Sequence, residues 1–162
     1  MNIRPARLED LPELLEIYND AIQNLTATFD LEPQTLEERK LWFEAHDENY
    51  PLIVAEIDGK VAGYCSLSPY RPKKAYRQTT EISIYLNSSF RGHGIGKQLM
   101  TEIIKQAKQL NFHAIIAIIT GGNEVSVKLH ERFGFQFMGY LKEVGFKFDE
   151  WQDVHFYQLL LK

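Results

Sequence analysis

Apolar positions along this chain change period several times, and each change predicts an element. Asn2 to Ala6 sets Ile3 among polar neighbours and reads as a first strand. Asp10 and Pro12 mark a helix start. Leu11, Leu14, Leu15, Tyr18 and Ile22 then recur on one helical face, a core-packing stripe. From Asn24 to Pro33 neither period holds, so this stretch reads as a loop. Thr35 followed by Glu38 has capping-box spacing and opens a second helix, through about Ala45. Leu52 to Ile57 and Lys60 to Ser68 read as strands joined at Asp58-Gly59, a type I′ hairpin signal. Gly63, inside the second strand, predicts a bulge or a close backbone approach.

After a basic loop, Pro69 to Arg77, the next strand runs from Thr80 to Leu86, with Ile82, Ile84 and Leu86 alternating as its buried face. Arg91-Gly92-His93-Gly94-Ile95-Gly96 follows, and from Ile95 the apolar residues return at helical spacing through Leu99, Met100, Ile103 and Ala107. Ala114 to Thr120 is continuously apolar and predicts a strand buried on both faces. Gly121-Gly122-Asn123 turns into a last helix carrying Val127, Leu129, His130 and Phe133, ended by Gly134. Phe135 to Phe148 alternates irregularly, with Gly139 and Gly145 as bends, and Val154 to Leu161 closes the chain as an apolar strand. This order predicts a mixed α/β sandwich, a central sheet with helices on both faces.

At 162 residues the chain is expected to form one domain, spanning 1–162, with a real core. Its net charge of −4 argues against a dedicated nucleic-acid binder. Cys65 is the single cysteine, so neither an intrachain disulfide nor a cysteine-cluster metal site is possible. Its apolar strand makes it a buried small hydrophobe. The five histidines show no ligand spacing, so no metal is expected. There is no signal-like opening and no run of membrane-spanning length, so the expectation is a cytoplasmic protein that does not bind membranes.

Candidate chemistry centres on the strand, glycine-rich turn and helix from Thr80 to Ala107. Glycines there permit positive φ and close backbone approach. A helix start carries unpaired N–H groups and partial positive charge, so the unit can form a phosphate or pyrophosphate pocket. A tight turn with no ligand would want some of the same glycines. The spacing lacks the Gly-Lys-Ser/Thr ending of a P-loop and is not the Gly-x-Gly-x-x-Gly of a dinucleotide site.

Arg91-x-x-Gly94-x-Gly96 resembles the acetyl-CoA signature of the GNAT N-acetyltransferases. The resemblance extends along the chain and falls within the phosphinothricin and methionine sulfoximine N-acetyltransferase group. It is carried by Ile17-Tyr18-Asn19, Thr26-Ala27-Thr28-Phe29, Glu32-Pro33, Trp42-Phe43, Tyr70-Arg71-Pro72 and Glu81 to Tyr85. Asn123, Leu129 to Phe135, and Val144 to Phe148 running into Trp151-x-Asp153-Val154 complete it.

That resemblance implies a GNAT fold with a mixed, mostly antiparallel sheet, and transfer of the acetyl group of acetyl-CoA to the α-amine of a small amino-acid-like acceptor. Pantetheine would pair with the backbone around Ile84, Tyr85 and Leu86, as a peptide-like arm adding to a strand edge. The pyrophosphate would lie on Arg91, Gly92, His93, Gly94, Ile95 and Gly96, with Lys97 adding charge and Asn123 near the pantetheine. Arg91, His93 and Lys97 are equally readable as solvated surface residues. Glu81 is the general-base candidate, directly or through water, against the alternative of a salt-bridged strand-end residue. His130 occupies the position where many relatives carry a tyrosine acid, and it reads either as general acid or as a satisfied core histidine. Tyr85 and Tyr140 are reserves for that acid. Arg71, Lys73, Arg77 and Lys147 are candidates for the acceptor's carboxylate and polar group, with Phe29 as a wall. The resemblance also implies a homodimer, for which the aromatic-rich stretch from Phe146 to Tyr157 offers apolar surface. Two rivals stand beside this reading: a different amine acceptor, and a non-catalytic acyl-CoA sensor.

Overall fold

The computed structural model describes all 162 residues. Seven strands form one sheet in the order β1-β2-β3-β4-β5-β7-β6. In chain order the elements are β1 (Asn2–Pro5), α1 (Leu11–Asn24), α2 (Leu36–Glu44), β2 (Leu52–Ile57), β3 (Lys60–Pro69), β4 (Thr79–Leu86) and α3 (Ile95–Gln109). They continue with β5 (Ala114–Thr120), α4 (Glu124–Arg132), β6 (Gln136–Lys147) and β7 (Glu150–Leu160). The element order is the one the periodicities predict, and every strand pairing but β4–β5 is antiparallel.

Local signals explain most boundaries. Thr35 accepts from the Glu38 amide while Glu38 reaches back to the Thr35 amide, so the capping box forms. Asp58 and Gly59 both take positive φ, as a type I′ turn demands. Gly63 meets both expectations: the β2–β3 register shifts beside it, and a Cβ there would lie 3.0 Å from the Tyr85 carbonyl oxygen. The register of β6 against β7 shifts at Gly139 and again before Gly145, which turns the predicted bends into bulges.

Helices cover both faces unequally. α3 packs on β2, β3 and β4, and α4 on β5, over a core that includes Ile82, Ile95, Leu99, Ile103, Ile115 and Phe135. On the other face α1 lies on β3 and β4 with Leu14, Ile17, Val54, Val61 and Tyr64. In α1, Ile17 and Ala21 are buried and join the predicted stripe, while Leu15 is only half-buried. Beneath α2, Arg39 is 3% exposed, its guanidinium 4.0 Å from the Tyr18 ring and 3.4 Å from that of Trp42. It donates to the Tyr64 hydroxyl at 2.6 Å.

Three strand expectations need correction. Ile118 is 42% exposed and Ile116 half-buried, so β5 is not covered on both faces. The physical reason is that α1 reaches β3 and β4 but leaves this side of β5 bare. Leu86, expected inside, is 37% exposed and Ile84 half-buried, because β4 outruns its neighbour there. Finally, β7 begins at Glu150, four residues before the expected Val154, through a two-residue turn at Phe148-Asp149 whose φ values are both positive.

Candidate active site

β4 and β5 part company. Their parallel pairing covers Thr79↔Ala114 to Ile82↔Ala117 and then ends, although β4 runs on to Leu86 and β5 to Thr120. On its other edge β4 stays paired to β3 through Leu86. The Asn87 amide donates to the Ala62 carbonyl at 2.8 Å. By antiparallel alternation Tyr85 and Ser83 also bond to β3, so Ile84 and Leu86 turn their backbone groups toward the gap left by β5. A wedge opens there, edged by main-chain donors and acceptors.

At the wide end of that wedge α3 begins. Gly92 and Gly94 take φ +82° and +70°, and Gly94 is the helix N-cap. The first N–H groups, from Ile95 onward, face the turn without intrahelical partners. Gly96 has a different reason to be glycine: a Cβ there would lie 3.1 Å from the Leu129 side chain, where α3 packs on α4. Arg91, His93 and Lys97 are exposed around this helix start. Asn123 caps α4 by accepting from the Ser126 amide at 3.3 Å, which leaves its side-chain N–H groups available. A peptide-like arm ending in a pyrophosphate fits this donor set: a free strand edge leading to an uncovered helix N-terminus.

Glu81 lies on the face of β4 opposite α3, in register with Ile116. Burial raises the affinity of its carboxyl for a proton, and the Arg71 guanidinium opposes that shift. Arg71 is exposed and stacks 4.9 Å from the Tyr70 ring centre. The Arg71 guanidinium is therefore within electrostatic reach of the Glu81 carboxyl. Lys73 and Arg77 flank a short turn at Lys74–Tyr76, both exposed, and the Arg77 guanidinium donates to the Lys74 carbonyl. Beside Glu81 a cavity of about 350 Å³ is lined by Tyr70, Ile116, Met138, Tyr140, Phe156 and Gln158 among others. The sequence pattern does not show this wall, because residues on β6 and β7 meet Ile116 only through the sheet order.

Two candidates, His130 and Lys147, lie in the interior. His130 is 3% exposed, and its Nδ1 stands 2.7 Å from the Ser126 carbonyl oxygen. That contact makes Nδ1 the protonated nitrogen and leaves Nε2 an acceptor. Burial lowers the pKa, and a neutral ring in this tautomer keeps its one proton on Nδ1, turned to the Ser126 carbonyl. The geometry argues for the core-histidine alternative. Lys147 is likewise 3% exposed, and its ammonium donates to the Leu25 and Thr28 carbonyls at 2.8 Å each. It holds a loop instead of facing solution. Phe29, in that loop, lies against Gly145, where a Cβ would collide with its ring. Tyr85 is no ready acid either, since burial pushes its hydroxyl well up and it donates to the Ala27 carbonyl at 3.2 Å.

A family model described as an acetyltransferase (GNAT) domain matches residues 3–156. An L-methionine sulfoximine/L-methionine sulfone acetyltransferase of Pseudomonas paraeruginosa is 41% identical, the match covering 99% of this chain and 94% of that protein. Among solved structures, an N-acetyltransferase from Staphylococcus aureus superposes with TM-score 0.97 at 46% identity, covering 99% of this chain and 98% of the other. A phosphinothricin acetyltransferase from Sinorhizobium meliloti, in complex with acetyl-CoA, superposes with TM-score 0.95 at 38% identity, covering 99% and 88%.

Proposed function

The chain belongs to the GNAT family of acetyl-CoA-dependent N-acetyltransferases, and from that premise we propose that it acetylates the α-amine of a small amino acid of the methionine sulfoximine, methionine sulfone or phosphinothricin type. One observation carries the acceptor class: the Arg71 guanidinium, in the loop before β4, acts electrostatically on the half-buried Glu81 carboxyl. An α-amino acid presents an ammonium and a carboxylate on one carbon, and this pair offers an anion for the first and a cation for the second. A polyamine or aminoglycoside would meet Arg71 as a like charge. The cavity beside Glu81, apolar apart from a few groups such as Gln158, offers room for the acceptor's side chain.

Acetyl-CoA supplies the acetyl thioester. The Ile84 and Leu86 backbone groups would hold its pantetheine, and the turn from Arg91 to Gly96, with Lys97, its pyrophosphate; Asn123 would reach the arm from the other side. Glu81 takes the proton that the attacking amine must lose, directly or through water. Burial suits it to that task by raising its pKa. Arg71 orients the acceptor's carboxylate, with Lys73 and Arg77 adding positive potential. We assign the thiolate's proton to solvent, given the tautomer of His130. These roles act within one domain spanning residues 1–162.

A homodimer belongs to the same reading. Phe137, Met138, Leu141, Val144, Phe146 and Trp151 on β6 and β7 are each 49–62% exposed, and β6 is an edge strand whose outer side pairs with nothing in this chain. Covering such a strip with a second copy removes an aggregation hazard. Sedimentation that returns a monomer at micromolar concentration would end this part of the proposal. No helix is long and apolar enough to cross a membrane, and the net charge of −4 does not favour nucleic acid as a partner.

The test is thiol release from acetyl-CoA with methionine sulfoximine, methionine sulfone, phosphinothricin, ordinary amino acids, spermidine and one aminoglycoside, in wild type and Glu81→Gln. Turnover confined to the amino-acid acceptors, and lost in Glu81→Gln while acetyl-CoA still binds, is expected. Preference for a cationic amine would overturn the acceptor class. Binding of acetyl-CoA without any turnover would favour the sensor.

A further inference from the structure

The loop between α1 and α2 is fastened in an unusual way. Four consecutive main-chain carbonyls, those of Leu25, Thr26, Ala27 and Thr28, each accept a hydrogen bond from a side chain of the sheet. Lys147 of β6 donates to the first and the last, at 2.8 Å each. The Thr120 hydroxyl of β5 donates to Thr26 at 2.6 Å, and the Tyr85 hydroxyl of β4 to Ala27 at 3.2 Å. Tyr18 of α1 adds contacts to the Thr28 hydroxyl and the Asp30 carboxylate.

Where those donors sit decides what the loop does. Tyr85 lies beyond the last β4–β5 pair on β4, and Thr120 beyond it on β5. By strand alternation Tyr85 shares the face of Glu81, and Thr120 that of Ile116, the register partner of Glu81. The segment from Leu25 to Asp30 therefore bridges the diverging strands on the face that carries Glu81. Tyr85 is four residues from Glu81, roughly 13 Å along the strand, which leaves space for an amino-acid-sized acceptor between the base and the strap.

We propose that Lys147 is a positioning residue: by clamping both ends of this four-carbonyl run it holds the strap, and with it Phe29, as the roof of the acceptor pocket, and so sets acceptor affinity without touching the acceptor. Three surrounding features support the role. Phe148, next in the chain, is held at φ +56° in the Phe148-Asp149 turn, a conformation costly for a bulky side chain, with its ring 5.0 Å from the Lys147 ammonium. Gly145 provides the space in which the Phe29 ring lies on β6. Burial lowers the Lys147 pKa and Asp30 raises it, yet no carboxylate pairs with this ammonium directly, so carbonyl oxygens are its main partners.

This inference rests on the acceptor binding beside Glu81, and its test separates the two. Lys147→Met keeps the length of the side chain and removes its donors; Lys147→Arg restores donors. The readouts are KM for the amino-acid acceptor that wild type uses, KM for acetyl-CoA, and hydrogen exchange of the amides between residues 25 and 30. In Lys147→Met the acceptor KM should rise about tenfold, with acetyl-CoA KM within about twofold and faster exchange in the strap. Lys147→Arg should recover most of both effects. Faster exchange with an unchanged acceptor KM would overturn the proposal, since the clamp would then be structural only. A raised KM with unchanged exchange would overturn it too, by pointing to direct contact with the acceptor. If Lys147→Met does not fold, Thr120→Val and Tyr85→Phe each remove one carbonyl donor and should give smaller rises of the same kind; no rise in either overturns it. Should wild type turn over no amino acid, the acceptor reading fails by itself, and unchanged strap exchange in Lys147→Met still overturns the clamp.

Discussion

Arg39 and Lys147 are both cations 3% exposed on the same side of the sheet, and neither is paired with a carboxylate. Arg39 lies between aromatic rings under α1 and α2, with the Tyr64 hydroxyl as its short contact. Lys147 lies at the open end, where the strands separate, with main-chain carbonyls as partners. Stacked rings and a phenol fix a guanidinium as part of a core. Carbonyls of a loop tie an ammonium to the position of that loop, and hence to whatever passes beneath it. Burial alone therefore does not say whether a charge serves the fold or the site; the partners do.

If that division holds, damage around Glu81 and Lys147 appears in kinetics and damage around Arg39 in stability. Glu81→Gln should reduce kcat/KM about a thousandfold, ~4 kcal/mol of transition-state stabilisation, and its Tm should equal or exceed that of wild type because a partly buried charge is removed. A large fall in Tm would place Glu81 in the scaffold. Arg39→Ala empties the space between Tyr18 and Trp42 and strands the Tyr64 hydroxyl, which should cost about 3 kcal/mol in denaturant titrations. Both KM values should be unchanged well below its Tm, and a selective rise in acceptor KM would break the comparison. Arg71→Ala should raise the acceptor KM about tenfold, ~1.4 kcal/mol, with acetyl-CoA KM and Tm unaltered.

The smallest effect concerns pH. Burial raises the Glu81 pKa in the folded protein, so the acid limb of kcat/KM should lie above the ordinary glutamate range near ~4.3. The same shift has a stability sign. A carboxyl that holds its proton more tightly when folded stabilises the fold below its unfolded pKa, and that contribution is lost as pH rises through the folded pKa. Wild type should thus lose stability relative to Glu81→Gln across that window. A flat difference from pH 4 to 8, within about 0.3 kcal/mol, would remove the desolvation argument.

The scaffold was largely readable from sequence, and the surroundings of the site were not. Apolar spacing in α1 and α3, the Thr35–Glu38 box and Asp58-Gly59 are local signals, and each produced the element expected of it. The glycine turn was readable as an anion site, but Gly96 owes its identity to Leu129, a contact between two helices. Ile116 and Ile118 read as doubly buried because composition cannot reveal that the helices on one face stop at β4. Phe148-Asp149 carries no glycine or asparagine, so no turn residue announced the last hairpin. Lys147 looked like a free cation because its partners are carbonyls more than a hundred residues away, and every residue type has a carbonyl.

That last point bears on how such an enzyme can diversify. A roof fastened by its main chain places no demand on the identity of the side chains of Leu25, Thr26 and Ala27. Substitutions there would repaint the ceiling while leaving its height and path alone, provided Tyr85, Thr120 and Lys147 remain. Inheritance could then explore new acceptors through three neighbouring codons, from Leu25 to Ala27, with the thioester machinery below left undisturbed.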